Sequence, residues 1–145
     1  MITWITENVA IGEYTDACNR ENLLREKIDC VLSLRIIIPL GEPILCKQND
    51  IRFVHIPVGL TYEEDKDSIK EELRTAAYML FELLEKYNRI LVHCTAGMDR
   101  APFVVAEYLA HKEYYRLMDI KMQMEEAYKD IKKKRPQIIE HLEWV

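Results

Sequence analysis

Short apolar runs along the chain follow the pattern of β-strands. Runs rich in β-branched and aliphatic residues predict four strands, at residues 8–12, 29–34, 51–58 and 89–94. The last two runs, IRFVHIPV and RILVHC, are largely apolar with little alternation. Such composition is typical of strands that are covered on both faces, so these two strands are predicted to be buried.

A second pattern, with apolar residues three and four positions apart, predicts helices. It is clearest over residues 67–88, where an amphipathic helix is predicted. Further helices are predicted over residues 101–112 and 115–134, and a short terminal one from Pro136 onwards. Strands that alternate with helices, followed by a helical C-terminal half, predict an α/β fold. Its central sheet should be mostly parallel, with helices on both faces.

Length and composition limit the organisation of this fold. The chain has 145 residues, of which 49% are hydrophobic, which predicts one domain over residues 1–145. No apolar run approaches the roughly 20 residues of a membrane span, and residues 1–6 do not form a basic and then apolar leader. We therefore expect no integral membrane association and a cytoplasmic protein.

Cysteine spacing and net charge exclude two further classes of protein. The cysteines lie at positions 18, 30, 46 and 94, without a C-x-x-C pair or histidines at zinc-finger spacing, so reduced thiols and no metal site are expected. The net charge of −5 argues against nucleic-acid binding. A basic run, KDIKKKRP at 129–136, is interpreted as a solvated helix end.

The segment HCTAGMDRAP, residues 93–102, carries the candidate chemistry. It lies between a predicted strand and a predicted helix, so its backbone N–H groups can converge on an anion. Gly97 permits the turn, and Pro102 suits the first turn of a helix. The same positive field favours the thiolate of Cys94 at neutral pH. Arg100 supplies a planar fork that can grip two phosphate oxygens.

The spacing of Cys94 and Arg100 is by itself a weak signal. Cys46 also has an arginine, Arg52, six residues later. Nothing around Cys46 provides a glycine turn, a preceding buried strand or a following helix, so we expect no anion site there.

The segment HCTAGMDRAP resembles the H-C-x-x-G-x-x-R loop of the cysteine-dependent protein tyrosine phosphatases, particularly their compact dual-specificity branch. The resemblance extends over most of the chain and includes residues 5–19, 28–34 and 125–138. It implies that Cys94 attacks phosphorus, that a phosphocysteine forms, and that water then hydrolyses it without a metal or cofactor. It also implies a phosphate site made of backbone amides, those of Thr95, Ala96, Gly97, Met98, Asp99 and Arg100.

The resemblance also implies roles for the residues at two positions near the loop, 93 and 101. His93 is expected to hydrogen-bond the loop backbone and to help fix the thiolate. Members of the family usually carry Ser or Thr after the arginine, where the hydroxyl helps the thiolate to leave. Here Ala101 stands at that position, as in the plant glucan phosphatases, so slower turnover or a substitute water is expected.

The general acid is the least determined part of the predicted site. Alignment from the strand ending in FVHIPV puts Leu60 where the family has an aspartate, and alignment from the next helix puts Glu63, Glu64 and Asp65 there. Asp99 is a third candidate, since it resembles the loop aspartate of myotubularin lipid phosphatases. An ion pair or helix N-cap is the alternative role for Asp99, and a solvated loop is the alternative for residues 63–65.

The predicted activity is phosphomonoester hydrolysis. A phosphorylated protein is the expected substrate and partner, with phosphotyrosine and phosphoserine or phosphothreonine all admitted. A phosphoinositide or a phosphoglucan is the alternative, suggested by Asp99 and by Ala101-Pro102 respectively. A phosphate-binding module without catalysis is the third possibility. The sequence leaves the natural substrate and the oligomeric state open.

Overall fold

The computed structural model describes residues 1–59 and 66–145. Strands of this part of the chain form one five-stranded sheet in the order β1-β2-β5-β3-β4, in which only β1 is antiparallel to its neighbour. The strands are β1 (Thr3–Trp4), β2 (Val9–Gly12), β3 (Cys30–Ser33), β4 (Arg52–His55) and β5 (Ile90–His93). The predicted mostly parallel sheet is confirmed.

Helices cover both faces of the sheet, as predicted. They are α1 (Tyr14–Ala17), α2 (Arg20–Arg25), α3 (Gly41–Gln48), α4 (Lys66–Leu84), α5 (Arg100–Glu113) and α6 (Ile120–Lys134). Because successive strand residues point to opposite faces, Ile90 and Val92 pack with α4, α5 and α6, whereas Leu91 packs with α1, α2 and α3. No helix in the described ranges has the length and apolar composition that crossing a bilayer requires.

The prediction of a buried strand over residues 51–58 was wrong in extent and in burial. β4 covers four residues, with Arg52 exposed and the other three half-buried. The reason is position: β4 is the last strand in the sheet order and pairs only with β3 among the described strands. Apolar composition does not distinguish an edge strand from a central one, whereas β5, which lies between β2 and β3, is buried as predicted.

Two helix predictions at the C-terminal end also needed correction. α6 begins at Ile120 rather than at residue 115, because the Asp119 side chain accepts a hydrogen bond from the Lys121 amide and caps the helix there. After Pro136 only a 3-10 turn forms, Leu142–Trp144. In the segment before that turn, the Ile139 amide donates to the Met98 carbonyl at 2.8 Å instead of forming a helical hydrogen bond.

This topology places the segment after β5 at the functional edge of the sheet. The four parallel strands β2, β5, β3 and β4 all end at the same edge, and β5 is followed directly by the candidate loop and then by α5. Crevices at the carboxyl ends of parallel strands are the usual ligand sites of α/β proteins.

Candidate active site

The loop between β5 and α5 turns at Gly97. This residue has a φ of 67°, a conformation that side chains rarely adopt. A Cβ atom at this position would also lie 2.6 Å from the Arg135 side chain and 2.7 Å from the Gly12 carbonyl oxygen. Glycine is therefore required at position 97 for two independent reasons, the backbone conformation and the close packing behind the loop.

Three carbonyl groups of the loop are tied to residues outside it. The Thr95 carbonyl accepts from the Tyr14 amide at 3.1 Å, and the Met98 carbonyl accepts from the Ile139 amide at 2.8 Å. The Gly97 carbonyl accepts from Arg135 Nε at 2.9 Å. In a trans peptide the N–H points opposite to the C=O, so the amides that follow these carbonyls face the other way.

The loop amides are therefore free to bind an anion. No described residue accepts a hydrogen bond from the backbone N–H groups of residues 95–99. Successive free N–H groups at the start of a helix form a concave site for an oxyanion. Cys94 lies at the beginning of this loop and is 2% exposed. Its side chain is thus buried at the start of the loop rather than on the open surface.

Arg100 is the first residue of α5 and is held in a fixed orientation. One terminal nitrogen donates to the Val58 carbonyl at 2.9 Å and to the Leu34 carbonyl at 3.3 Å. The other donates to Thr95 Oγ1 at 3.0 Å. The buried Nε has no acceptor among the described residues. A guanidinium anchored on one side in this way presents its remaining N–H donors to a phosphate.

Arg135 supports the loop from behind, a role that the sequence reasoning missed. It is 1% exposed, and besides Gly97 its side chain donates to the Met1 carbonyl and to Thr3 Oγ1, both at 2.7 Å. Burial lowers the pKa of its guanidinium. The interpretation of residues 129–136 as a solvated helix end is wrong for Arg135, although it holds for the exposed lysines before it. The R-P pair after the helix was the signal available.

His93 contacts the loop backbone, as expected. Its Nδ1 lies 3.1 Å from the Cys94 carbonyl oxygen. Its Nε2 lies 2.5 Å from Oε1 of Glu42, a residue of α3 that sequence reasoning did not single out. Both side chains are fully buried. Glu42 carries no local motif, so only the packing of α3 against the end of β5 reveals the contact.

Asp99 is part of an ionic cluster on the C-terminal segment. Its Oδ1 lies 2.6 Å from His141 Nε2, and His141 Nδ1 lies 2.6 Å from Glu143 Oε1. The His141 ring stacks on Trp144 with 3.8 Å between centroids. The sequence also leaves an ion pair or a helix N-cap open for Asp99: the contact with His141 is an ion pair when His141 is protonated, whereas the Asp99 side chain makes no capping hydrogen bond to α5 among the described residues. The catalytic role stays a prediction, and nothing in the sequence pointed to His141.

Two further predictions concern Ala101 and the alternative general acids. Ala101 is fully buried in the first turn of α5, and its side chain offers no hydroxyl to the cysteine. The alternative acids Glu63, Glu64 and Asp65, and the aligned position Leu60, lie outside the described residues. Their role as a proton donor therefore stays a prediction.

Comparisons with known proteins agree with this geometry. The family described as "Dual specificity phosphatase, catalytic domain" matches residues 9–145. Tyrosine-protein phosphatase vhp-1 of Caenorhabditis elegans is 31% identical over 141 residues, which are 94% of this chain and 19% of that protein. Human dual specificity protein phosphatase 14 is 28% identical over 142 residues, which are 94% of this chain and 62% of that protein. The chain thus spans only part of the length of these relatives.

A solved structure supports the fold. The Yvh1 phosphatase domain from Chaetomium thermophilum superposes with a TM-score of 0.79 at 16% identity, covering 99% of this chain and 92% of that one. At this identity the likeness concerns the architecture alone. The family match extends over nearly the whole chain and includes the loop from Cys94 to Arg100. The chain therefore belongs to the family of dual specificity phosphatase catalytic domains.

Proposed function

We propose that the chain hydrolyses phosphomonoesters through a covalent phosphocysteine. Cys94 in its thiolate form attacks phosphorus, a sulfur–phosphorus bond forms, and the bond from phosphorus to the ester oxygen breaks. Water then attacks phosphorus, the sulfur–phosphorus bond breaks, and inorganic phosphate and the thiolate are released. The observation that carries the proposal is the loop itself, whose free amides and anchored Arg100 surround the position beside Cys94.

Each part of the site has a task in this reaction. The amides of residues 95–99 and the unpaired Nε of Arg100 would bind the three non-bridging oxygens, whose charge is retained as phosphorus becomes five-coordinate. Arg135 and the Met98–Ile139 hydrogen bond keep the loop in this shape before substrate arrives. A preorganised site requires little rearrangement during the reaction, and this lowers the barrier.

The leaving oxygen needs a proton, and we propose Asp99 as its source, with residues 63–65 as the alternative. Asp99 lies next to Arg100 and is hydrogen-bonded to His141, which can exchange a proton with it. General acid catalysis contributes about 10²- to 10⁴-fold in rate. If Asp99 serves only as an ion-pair partner of His141, the donor must come from the 63–65 segment.

A phosphoprotein is the proposed substrate. The support is that the relatives are named as tyrosine-protein and dual specificity protein phosphatases. Phosphoinositides carry several negative charges, and no lysine stands between Cys94 and Arg100 to receive them. We further propose a reducing, cytoplasmic location, supported by four cysteines that are all free thiols.

The test is hydrolysis of p-nitrophenyl phosphate by the wild type and by Cys94→Ser, followed by a panel of phosphopeptides, phosphoinositides and a phosphorylated glucan. We expect activity in the wild type, its loss in the variant, and preference for phosphopeptides. Activity that survives Cys94→Ser would refute the cysteine nucleophile. A wild type that binds phosphate without hydrolysing any substrate between pH 4 and pH 8 would instead indicate a phosphate-binding module.

A further inference from the structure

The hydrogen bond between His93 and Cys94 determines which ring nitrogen of His93 carries a proton. His93 is the last residue of β5, and its Nδ1 lies 3.1 Å from the backbone oxygen of Cys94. A carbonyl oxygen can only accept a hydrogen bond, so Nδ1 must be the donor. One tautomer of the ring is therefore excluded, and the protonation of Nε2 depends on what lies on its other side.

That other side is occupied by Glu42. Its Oε1 lies 2.5 Å from His93 Nε2, and both side chains have 0% exposure. A bare Nε2 facing an ionised carboxylate would bring two acceptors together without a hydrogen between them, which would be repulsive. One proton must therefore lie between Nε2 and Oε1, as in a charge-assisted hydrogen bond. The pair is either imidazolium with carboxylate, or neutral imidazole with carboxylic acid.

The position of Glu42 favours the first arrangement. Glu42 lies in the first turn of α3, where the helix dipole favours a negative charge, while its second oxygen, Oε2, is buried without a hydrogen-bond partner among the described residues. Cys18 and Cys46 are titratable groups close enough to feel its charge, which adds to burial in raising the pKa of both thiols. Both of these thiols therefore stay neutral and do not compete for the proton.

We propose that Glu42 is a positioning residue for the nucleophile: it keeps the second proton on His93, so that an imidazolium lies behind Cys94 and favours its thiolate. This inference rests on the proposed function, since it concerns the same cysteine. Arg135 interacts electrostatically with Cys94 and also with the carboxylates of Glu13 and Asp16. Arg100 is bonded to Thr95, the residue after Cys94, and a guanidinium keeps its proton over the working range of pH. A single substitution at Glu42 can therefore remove both charges of the His93–Glu42 pair while it leaves the two arginines in place.

Glu42→Gln is the informative substitution because it changes charge and preserves shape. The amide NH₂ can donate to Nε2, which leaves His93 neutral with Nδ1–H still bonded to the Cys94 carbonyl. We expect the pH midpoint for alkylation of Cys94 by iodoacetamide to rise by up to about one unit, because the variant loses the imidazolium next to Cys94 together with the more distant carboxylate. Mass spectrometry of the Cys94 peptide distinguishes this thiol from the other three.

A distorted loop would bind inorganic phosphate more weakly, so the affinity for phosphate tests whether Glu42→Gln preserves the shape of the loop. We expect the inhibition constant of phosphate in Glu42→Gln to stay within about threefold of wild type, because the amides and Arg100 remain in place. The value of kcat/KM at pH 6 should fall by about twofold to fivefold, in line with the smaller thiolate fraction. Glu107→Gln is the matched control, since Glu107 is a half-buried glutamate on α5 whose pKa burial raises, and it should change neither quantity.

A double-mutant cycle tests whether Glu42 acts through His93. In a His93→Asn background, Glu42→Gln should have no further effect on the alkylation midpoint, because the imidazolium is already absent. Additive effects of the two substitutions would overturn the inference. So would an unchanged midpoint in a folded Glu42→Gln protein.

Nitrogen-15 NMR of the His93 ring decides the question in the wild type, whether or not the variants fold. We expect both ring nitrogens to show the chemical shifts of protonated nitrogen at pH 7. An unprotonated Nε2 would refute the proposal. These measurements do not depend on turnover, so a wild type without hydrolytic activity would refute the proposed function while the alkylation and NMR results still judge Glu42.

Discussion

Two cysteines in this chain are each followed by an arginine six residues later, but they lie in different secondary structure. Cys94 directly follows the central strand β5 and Arg100 begins a helix, so the residues between them form a loop. Cys46 lies inside α3, and Arg52 is an exposed residue on the edge strand β4. Both cysteines are buried, at 2% and 0% exposure, so burial does not distinguish them.

The distinction comes from the backbone around each sulfur. Helical hydrogen bonds occupy the N–H groups near Cys46, and burial raises the pKa of its thiol to about 12. Around Cys94 the carbonyls of Thr95, Gly97 and Met98 are bonded outwards, and the amides of residues 95–99 have no acceptor in the part of the chain that the structure describes. A spacing of cysteine and arginine therefore becomes an anion site only where a strand ends and a helix begins between them.

The largest expected effect is the loss of the nucleophile. Cys94→Ser should lower kcat on p-nitrophenyl phosphate by about 10⁴-fold or more, because a serine hydroxyl without a base is not ionised. Cys46→Ser should stay within about twofold of wild type in the same assay, provided that the protein is folded. In the wild type at pH 7, iodoacetamide should modify Cys94 and leave Cys46 unmodified. Equal modification of both thiols would contradict the comparison.

The second effect concerns the two arginines. Arg100→Lys should lower kcat by about 10²- to 10³-fold, since an ammonium cannot contact two phosphate oxygens and also keep the bonds to the Val58 and Leu34 carbonyls. Arg52→Lys is the matched control, and we expect steady-state rates within about twofold of wild type. A similar loss in both variants would show that the chain depends on general positive charge rather than on the fork.

The third effect separates the two candidates for the proton donor. Asp99→Asn should lower kcat by about 10²-fold on a phenyl phosphate with a poor leaving group, and less on p-nitrophenyl phosphate, where the leaving oxygen needs no proton. Asp65→Asn should have the smaller effect on the poor leaving group. The reverse order would assign the donor to residues 63–65 and leave Asp99 as the ion-pair partner of His141.

The smallest effect tests the loop residue that departs from the family pattern. Ala101→Ser should raise the rate of phosphocysteine hydrolysis by a few-fold, since a hydroxyl at this position can stabilise the departing thiolate. The melting temperature of the variant should fall slightly, because Ala101 is fully buried and the added hydroxyl must be desolvated. Burst-phase kinetics measure the hydrolytic step directly, and an unchanged rate would indicate that another group already assists it.

Features that depend on neighbours in sequence were predicted correctly. Three such features are the strand before Cys94, the turn at Gly97 and the helix that begins near Pro102. The residues that define each of them lie within a few positions of one another in the sequence. The mostly parallel sheet also followed from the alternation of strand and helix patterns. The errors in β4 and in the terminal helix have one cause, since edge position and docking of the last segment are properties of the assembled sheet.

The residues that support the site could not be predicted from the sequence in the same way. Glu42, His141 and Arg135 reach the loop across sequence separations of 51, 42 and 38 residues. Each comes from an element whose own pattern gives no sign of the contact, apart from the R-P pair after α6. A long-range contact of this kind depends on how helices pack, which no local pattern encodes.

The sequence by itself determined the reacting groups and the shape of their loop, because backbone conformation over ten residues follows from the steric properties of those residues. Tertiary structure decided which carbonyls point outwards, what holds the guanidinium of Arg100, and which carboxylates face His93 and His141. The physical reason is that orientation and protonation depend on neighbours in space. Such neighbours meet only when the sheet and its two helical layers have assembled.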